Sequence, residues 1–421
     1  MNNKSLLKNI SFFTFFNVIN SAIPFLLLPI LTTYLSPADY GMVDIFYNIS
    51  LVASPLIGLS IVQSISRYYF DEIDLSKFIT TVFTFLLGFG SIVILVILGI
   101  ALVIDGLVSN LGFPPLLIVV ALIYTLFSQV AEIVLVYWRV SYQTAKFGIF
   151  RITKTAADLG LSIVCIVGLG MGWTGRILPQ VSIALIFGII AAIILSKKGL
   201  LLRLKVDKAY KKEALSFSTP LIFHTLGGNL IGFSDRFFIL FMLGLSDVGI
   251  YSVGYQIGMV IALVQNSFNQ AWVPFFFKKL KENVYSEKLR IVKITYFYFG
   301  FMLMLVLLFY FCMPYVYRYF IGSSFESGAV IVFWILLGYA FNGMYKMLVN
   351  YLFYLKKTKL VAFCTLGLGG VNLILNYFLI RLNGIEGAAQ ATAVTFLLLF
   401  IVIFMLSKKM YKMPWNLKPI E

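Results

Sequence analysis

Apolar residues occupy this chain in runs of about 20, the length of helix that crosses roughly 30 Å of hydrocarbon. Short polar gaps separate the runs. They predict membrane-spanning helices near 10–34, 42–65, 78–104, 115–138, 150–170 and 177–196. Six more are predicted near 216–243, 249–273, 294–314, 329–354, 360–380 and 385–406. The first two are separated by the turn-forming stretch from Leu35 through Ser36, Pro37 and Asp39 to Gly41. The expected fold class is an all-α polytopic membrane protein of about 12 transmembrane helices. Composition agrees, since 61% of the residues are hydrophobic and 12% charged, against about 45–50% and 25% in a soluble domain.

Charge then orients the spans. One set of span ends carries Lys4, Lys8, Arg67, Lys77, Arg139, Lys146, Arg151 and Lys154, seven cations from Lys197 to Lys212 and six from Lys278 to Lys293. Lys356, Lys357, Lys359, Lys408, Lys409, Lys412 and Lys418 complete the 28 on that side. The opposite ends hold Arg176, Arg318 and Arg381 alone. Lys and Arg in short loops are retained in the cytoplasm, so both termini are expected there. The net charge of +16 is read as a topology signal, because a nucleic-acid surface would gather its cations on one folded face. The first apolar run is too long for a cleavable signal peptide, and it lacks a small-residue cleavage pattern. Cys165, Cys312 and Cys364 sit in apolar sequence without CxxC spacing and are read as packing residues. With a single histidine, no zinc or hydrolase constellation is expected, and no cofactor.

The basic stretch 197–215 divides the spans into two groups. The expected organisation is an N-terminal six-helix bundle over 1–196, a basic cytoplasmic linker over 197–215, a C-terminal six-helix bundle over 216–406 and a cytoplasmic tail over 407–421. The linker is read as amphipathic and lying on anionic lipid. The halves echo one another. QSISRYYF ending span two at Phe70 answers QAWVPFFF ending span eight at Phe277, 207 residues later. Leu35 and Ser36 leading to Gly41 answer Leu245 and Ser246 leading to Gly249, 208 residues later. Gly172, Trp173, Thr174 and Gly175 before span six answer Gly384, Ile385, Glu386 and Gly387 before span twelve, 212 residues later. Such a parallel repeat predicts two pseudo-symmetric six-helix bundles with a central cleft.

The stretch from Asp235 and Arg236 to Leu240, the stretch from Leu245 to Gly254, the pair Asn372 and Asn376, and GIEGAAQAT from Gly384 to Thr392 resemble the polysaccharide biosynthesis flippases. That family includes the O-antigen (Wzx-type) translocases of the multidrug/oligosaccharidyl-lipid/polysaccharide exporter superfamily. The resemblance covers essentially the whole chain. It implies a transporter, not an enzyme, that moves an undecaprenyl-pyrophosphate-linked oligosaccharide (an O-antigen or capsule repeat unit) from the cytoplasmic to the periplasmic leaflet of a bacterial inner membrane by alternating access. The implied partners are that lipid-linked substrate, membrane lipids and other polysaccharide assembly proteins. Lipid II flippases usually carry two further spans.

An ionisable side chain at membrane depth is a functional candidate by default. The first half holds Asp44, Glu132 and Asp158; the second holds His224, Asp235, Arg236 and Lys346. A pyrophosphate leaving water needs cations, and Arg and Lys supply them. Arg236, Lys346 and His224 are therefore nominated for a cationic cavity, with Arg67 and Arg139 at its mouth. The alternatives are a pair between Arg236 and Asp235, and simple anchoring for Arg67 and Arg139. Glu132, Asp158, Asp44 and Asp235 are nominated for coupling or gating, with H+ or Na+ as the coupling ion. Helix-packing hydrogen bonds are the other reading of Asp44 and Asp158. Asn17, Asn20, Asn229, Gln256, Asn266, Asn342, Asn372 and Asn376 could meet sugar hydroxyls or join helices. Pro24, Pro29, Pro55 and Pro220 are expected kinks. A multidrug or cation antiporter of the same superfamily is the nearest rival function. A membrane glycosyltransferase or polymerase is disfavoured by periplasmic segments of only about a dozen residues.

Overall fold

The computed structural model describes residues 25–71, 74–103, 112–202 and 206–417, without the side chains at 101–103, 223–224 and 227–231. Asn17, Asn20, Pro24, most of span one, Arg203, Lys205 and Lys418 lie outside the described residues, as do the side chains of His224 and Asn229. All regular structure in the described residues is helical. The chain divides into two compact units, Met1–Asn229 and Leu230–Glu421.

The first unit contains α1 (Phe25–Tyr34), α2 (Pro37–Ile57), α3 (Ser64–Tyr68), α4 (Leu75–Val103), α5 (Leu116–Val140), α6 (Thr144–Ile163) and α7 (Thr174–Lys197). Ser36 caps α2 in a reciprocal capping box with Asp39, and Pro37 occupies its first turn. That chemistry starts the helix five residues before the expected apolar boundary at 42. Span two is then interrupted. The helix stops after Ile57, Leu59 and Ser60 turn left-handed with φ of 48° and 55°, and a single 3-10 turn over Ile61–Gln63 leads into α3. Hydropathy does not register this break, because Ile57, Ile61 and Ile65 keep the run apolar and pack with Phe78, Val82, Leu86 and Val134 in the unit's core. Pro55, which has no N–H to donate, and Gly58 mark it instead. A Cβ on Gly58 would sit 2.5 Å from Leu86 Cδ1 and 3.0 Å from Gln129 Oε1.

Within the expected linker, residues 198–202 and 206–207 form a loop docked on α4, and Lys208 begins the next helix. Leu202 N–H donates to Thr80 Oγ1 at 2.9 Å, Thr80 donates to the Leu200 carbonyl at 3.3 Å, and Asp207 N–H donates to Thr81 Oγ1 at 3.1 Å. These hydroxyls satisfy loop backbone that would otherwise need a helix of its own. Asp207 caps α8 (Lys208–Met242), and Asp74 N–H donates to Tyr210 of that helix at 3.2 Å. At the same end Asp74 caps α4. The Lys77 backbone N–H and ammonium hold its carboxyl below the usual carboxylate range. The division between the units falls within α8.

The second unit contains the rest of α8, then α9 (Leu245–Gly258), α10 (Val260–Glu282), α11 (Tyr285–Phe320), α12 (Ala329–Tyr354) and α13 (Thr358–Met410). The 53-residue α13 is two spans joined at Gly384, whose φ of 58° and ψ of −138° break the helix. Eight stretches of the described residues are long and apolar enough to cross a membrane. α6 and α8 fall outside that set because Arg151, Lys154 and Asp158, and Ser218, Asp235 and Arg236, dilute their apolar runs.

The repeat read from the glycines has a conformational counterpart inside each unit. Gly172 and Gly384 both adopt φ of 58°. Three residues later, a Cβ on Gly175 would meet the Cys165 carbonyl carbon at 3.1 Å, and one on Gly387 would meet the Leu379 carbonyl oxygen at 1.9 Å. In both turns one glycine reverses the chain and the next lets two helix ends touch. Gly387→Ala is therefore expected to cost at least about 1–3 kcal/mol, since backbone rather than a side chain must move. A lower unfolding temperature of the purified protein in detergent would register it.

Candidate functional site

In the first unit a cavity of about 450 Å³ opens where span two is broken. Its lining is Ser54, Pro55, Ser60, Val62, Gln63 and Ser66 from the broken span, Gln129 and Glu132 from α5, and Phe217, Leu221 and Thr225 from α8. The spacings i, i+3 on α5 and i, i+4, i+8 on α8 place each set on one helix face. Gln129 Nε2 donates to the Ser54 carbonyl, a backbone acceptor near the end of α2. Glu132 Oε1 accepts from Arg139 at 3.1 Å, and the Arg139 guanidinium lies 5.5 Å from the Phe147 ring centroid. Arg67 instead holds Asp71 through contacts of 2.9 and 3.0 Å. Of the nominated residues, Glu132 lines this cavity; Arg67 and Arg139 do not.

A second cluster of the first unit lies between α6 and α7. Arg176 Nη1 reaches Asp158 Oδ1 at 2.8 Å and Ser162 Oγ at 2.7 Å, while Nη2 reaches Asp158 Oδ2 at 3.3 Å. The paired side chains are only 11% and 19% exposed. Asp158 is thus charge-compensated by a cation that the sequence reading assigned to a span end. The missed signal was that Arg176 is one of only three cations on its side. Asp44 accepts from the Asn48 amide at 2.8 Å.

In the second unit Asp235 and Arg236 are 1% and 3% exposed. Arg236 Nη1 donates to Asp235 Oδ1 at 2.7 Å and to the Gly232 carbonyl at 3.0 Å. Its guanidinium lies 3.7 Å from the ring centroid of Tyr255 and 5.1 Å from that of Tyr251. The other Asp235 oxygen accepts from Tyr251, and the hydroxyls of Tyr255 and Tyr339 meet at 2.8 Å. Of the two readings of Arg236, this geometry is the pair with Asp235, enclosed by aromatic faces. Next to it, Asn372 accepts from Ser234 at 3.2 Å and from Asn376 at 3.0 Å, and donates to Thr395 at 3.0 Å. These asparagines join helices. Lys346 differs from Arg236: its ammonium donates to the neutral Asn266 side chain at 2.7 Å.

A family model described as polysaccharide biosynthesis protein matches residues 6–280. The chain belongs to this polysaccharide biosynthesis family. An uncharacterized membrane protein of Haemophilus influenzae is 25% identical over 379 residues, covering 86% of this chain and 87% of its own. Among solved structures, the lipid II flippase MurJ in an inward closed conformation superposes with a TM-score of 0.72 at 16% identity, over 94% of this chain and 87% of that one. An inward-facing multidrug resistance MATE transporter of the MOP superfamily gives a TM-score of 0.61 at 16% identity, over 92% and 94%. This member of the polysaccharide biosynthesis family is therefore a multi-pass membrane protein with the fold shared by those two transporters.

Proposed function

We propose that the protein flips an undecaprenyl-pyrophosphate-linked oligosaccharide, an O-antigen or capsule repeat unit, from the cytoplasmic to the periplasmic leaflet of a bacterial inner membrane. Both termini face the cytoplasm, two six-helix bundles alternate access, and H+ or Na+ couples the cycle through Asp44. Family membership supports a role in polysaccharide assembly, and the fold supports transport. The observation that carries the reading is Lys346. A cation inside a span is costly unless a ligand, an acid or water offsets it, and the recorded partner of Lys346 is a neutral amide. An anionic headgroup is the ligand that offsets such a charge. Asp158, already neutralised by Arg176, is poorly suited to ion coupling.

The test is flipping of a fluorescent polyprenyl-pyrophosphate oligosaccharide in proteoliposomes. Losing a hydrogen-bonded charge removes about 1.5–3 kcal/mol, so Lys346→Gln should slow flipping about tenfold or more. Lys346→Arg should retain most of the rate. Wild-type rates in Lys346→Gln would remove the central support. Depletion in cells should leave the lipid-linked intermediate in the cytoplasmic leaflet; unchanged intermediates with altered drug sensitivity would favour an antiporter.

A further inference from the structure

The cavity of the first unit has a lining unlike that of a phosphate site. Among the described residues no Lys or Arg lines it, and its one charged wall is the Glu132 carboxylate, whose Oε1 accepts from Arg139. Ser54, Ser60, Gln63, Ser66 and Thr225 line it, Gln63 and Thr225 exposed and the three serines half-buried. Five uncharged groups with donors and acceptors to offer, all in apolar spans, are an unusual concentration. Each would cost about 1–3 kcal/mol if left dry and unpaired. Water or a ligand rich in hydroxyls can satisfy them. Phe217, Val62, Leu221 and Pro55 add apolar surface to the same walls. Mixed hydroxyl, amide and carboxylate groups beside an aromatic ring match a sugar ring, whose hydroxyls both donate and accept and whose C–H faces are apolar. The volume of about 450 Å³ lies within the range of small-ligand pockets.

The backbone is shaped for this lining. Consecutive left-handed residues are costly away from glycine, and such strain collects at ligand sites. Leu59 and Ser60 form such a pair. They interrupt the span with a 3-10 turn, and Ser60, Gln63 and Ser66 around it line one cavity. Gln129 supports that turn by binding the Ser54 carbonyl.

We propose that this cavity is a carbohydrate subsite, in which Gln63, Ser60, Ser66 and Glu132 bind sugar hydroxyls while the pyrophosphate is held by cations elsewhere. The inference rests on the flippase reading and adds to it the residues that recognise the glycan. Glu132, with Arg139 on one oxygen, is the strongest acceptor and Gln63 the adaptable donor.

The experiment measures binding of the purified full-length protein in nanodiscs to two probes: undecaprenyl pyrophosphate, and the same lipid carrying the host oligosaccharide. The wild type should prefer the glycosylated lipid. Gln63→Leu should reduce the ratio of the two affinities about threefold to tenfold, the loss of one or two neutral hydrogen bonds. Thr225→Val, on a different helix, should reduce it in the same direction. Because the readout is a ratio within one protein sample, a general loss of folded protein cancels. A wild type that binds both lipids equally, or variants that keep the wild-type ratio, would overturn the carbohydrate subsite while leaving the flippase reading intact. A wild type that binds neither lipid would overturn both.

Discussion

Asp235→Asn is expected to destabilise the second unit by about 3–5 kcal/mol, the usual cost of breaking one side of a buried ion pair. Asp235 gives one carboxylate oxygen to Arg236 at 2.7 Å and the other to the Tyr251 hydroxyl, with both charged side chains almost wholly buried. An amide keeps the shape but removes the negative charge opposite the guanidinium, which retains neutral contacts such as the Gly232 carbonyl and the aromatic faces. Such faces supply about 2 kcal/mol when desolvated, less than the lost pair. Thermal unfolding in detergent should therefore shift strongly downward. The double variant Asp235→Leu with Arg236→Leu should recover much of the loss, because it removes both charges together. An unshifted unfolding temperature in Asp235→Asn would show that the pair contributes nothing to folding.

The second large effect is expected at Arg176. Arg176→Gln leaves the Asp158 carboxylate and the Ser162 hydroxyl at membrane depth without the guanidinium that contacts both at 2.7 to 3.3 Å. The expected loss is again about 3–5 kcal/mol, tempered by the partial exposure of the pair. Pairing it with Asp158→Asn should restore stability, giving a coupling energy of up to about 3 kcal/mol in a double-mutant cycle. Additive losses in that cycle would mean that Arg176 and Asp158 act independently. The cycle also bears on transport: if Asp158 is chiefly a partner for Arg176, the double variant should flip lipid at a rate close to that of the wild type.

The charges that break the hydropathy pattern were legible as candidates, but their partners were not. Glu132, Asp158, Asp235, Arg236 and Lys346 stand out in any reading of the spans. The ion pairs Arg176 to Asp158 and Arg139 to Glu132 link residues 18 and 7 apart, and helix rotation and side-chain reach select them. The tyrosines around Arg236 carried no signal, because an aromatic residue in an apolar run reads the same whether it faces lipid or a cation. Gln63 and Gln129 were overlooked for a related reason: hydropathy treats an amide as a small dilution of the run, whereas packing turns it into a cap or a cavity wall.

Sequence alone determined where several of the long apolar helices lie and where the chain turns between some of them. Span ten is expected over 329–354 and observed as Ala329–Tyr354; the turns at Gly172 and Gly384 follow from glycines that tolerate a positive φ. Those features depend on residues summed or adjacent along the chain. Tertiary structure decided the break after Ile57, the docking of Leu202 and Asp207 onto Thr80 and Thr81, and the partner of each buried charge. A polar group removed from water takes whichever complement packing brings within about 3 Å, and nothing local to its own helix specifies that choice.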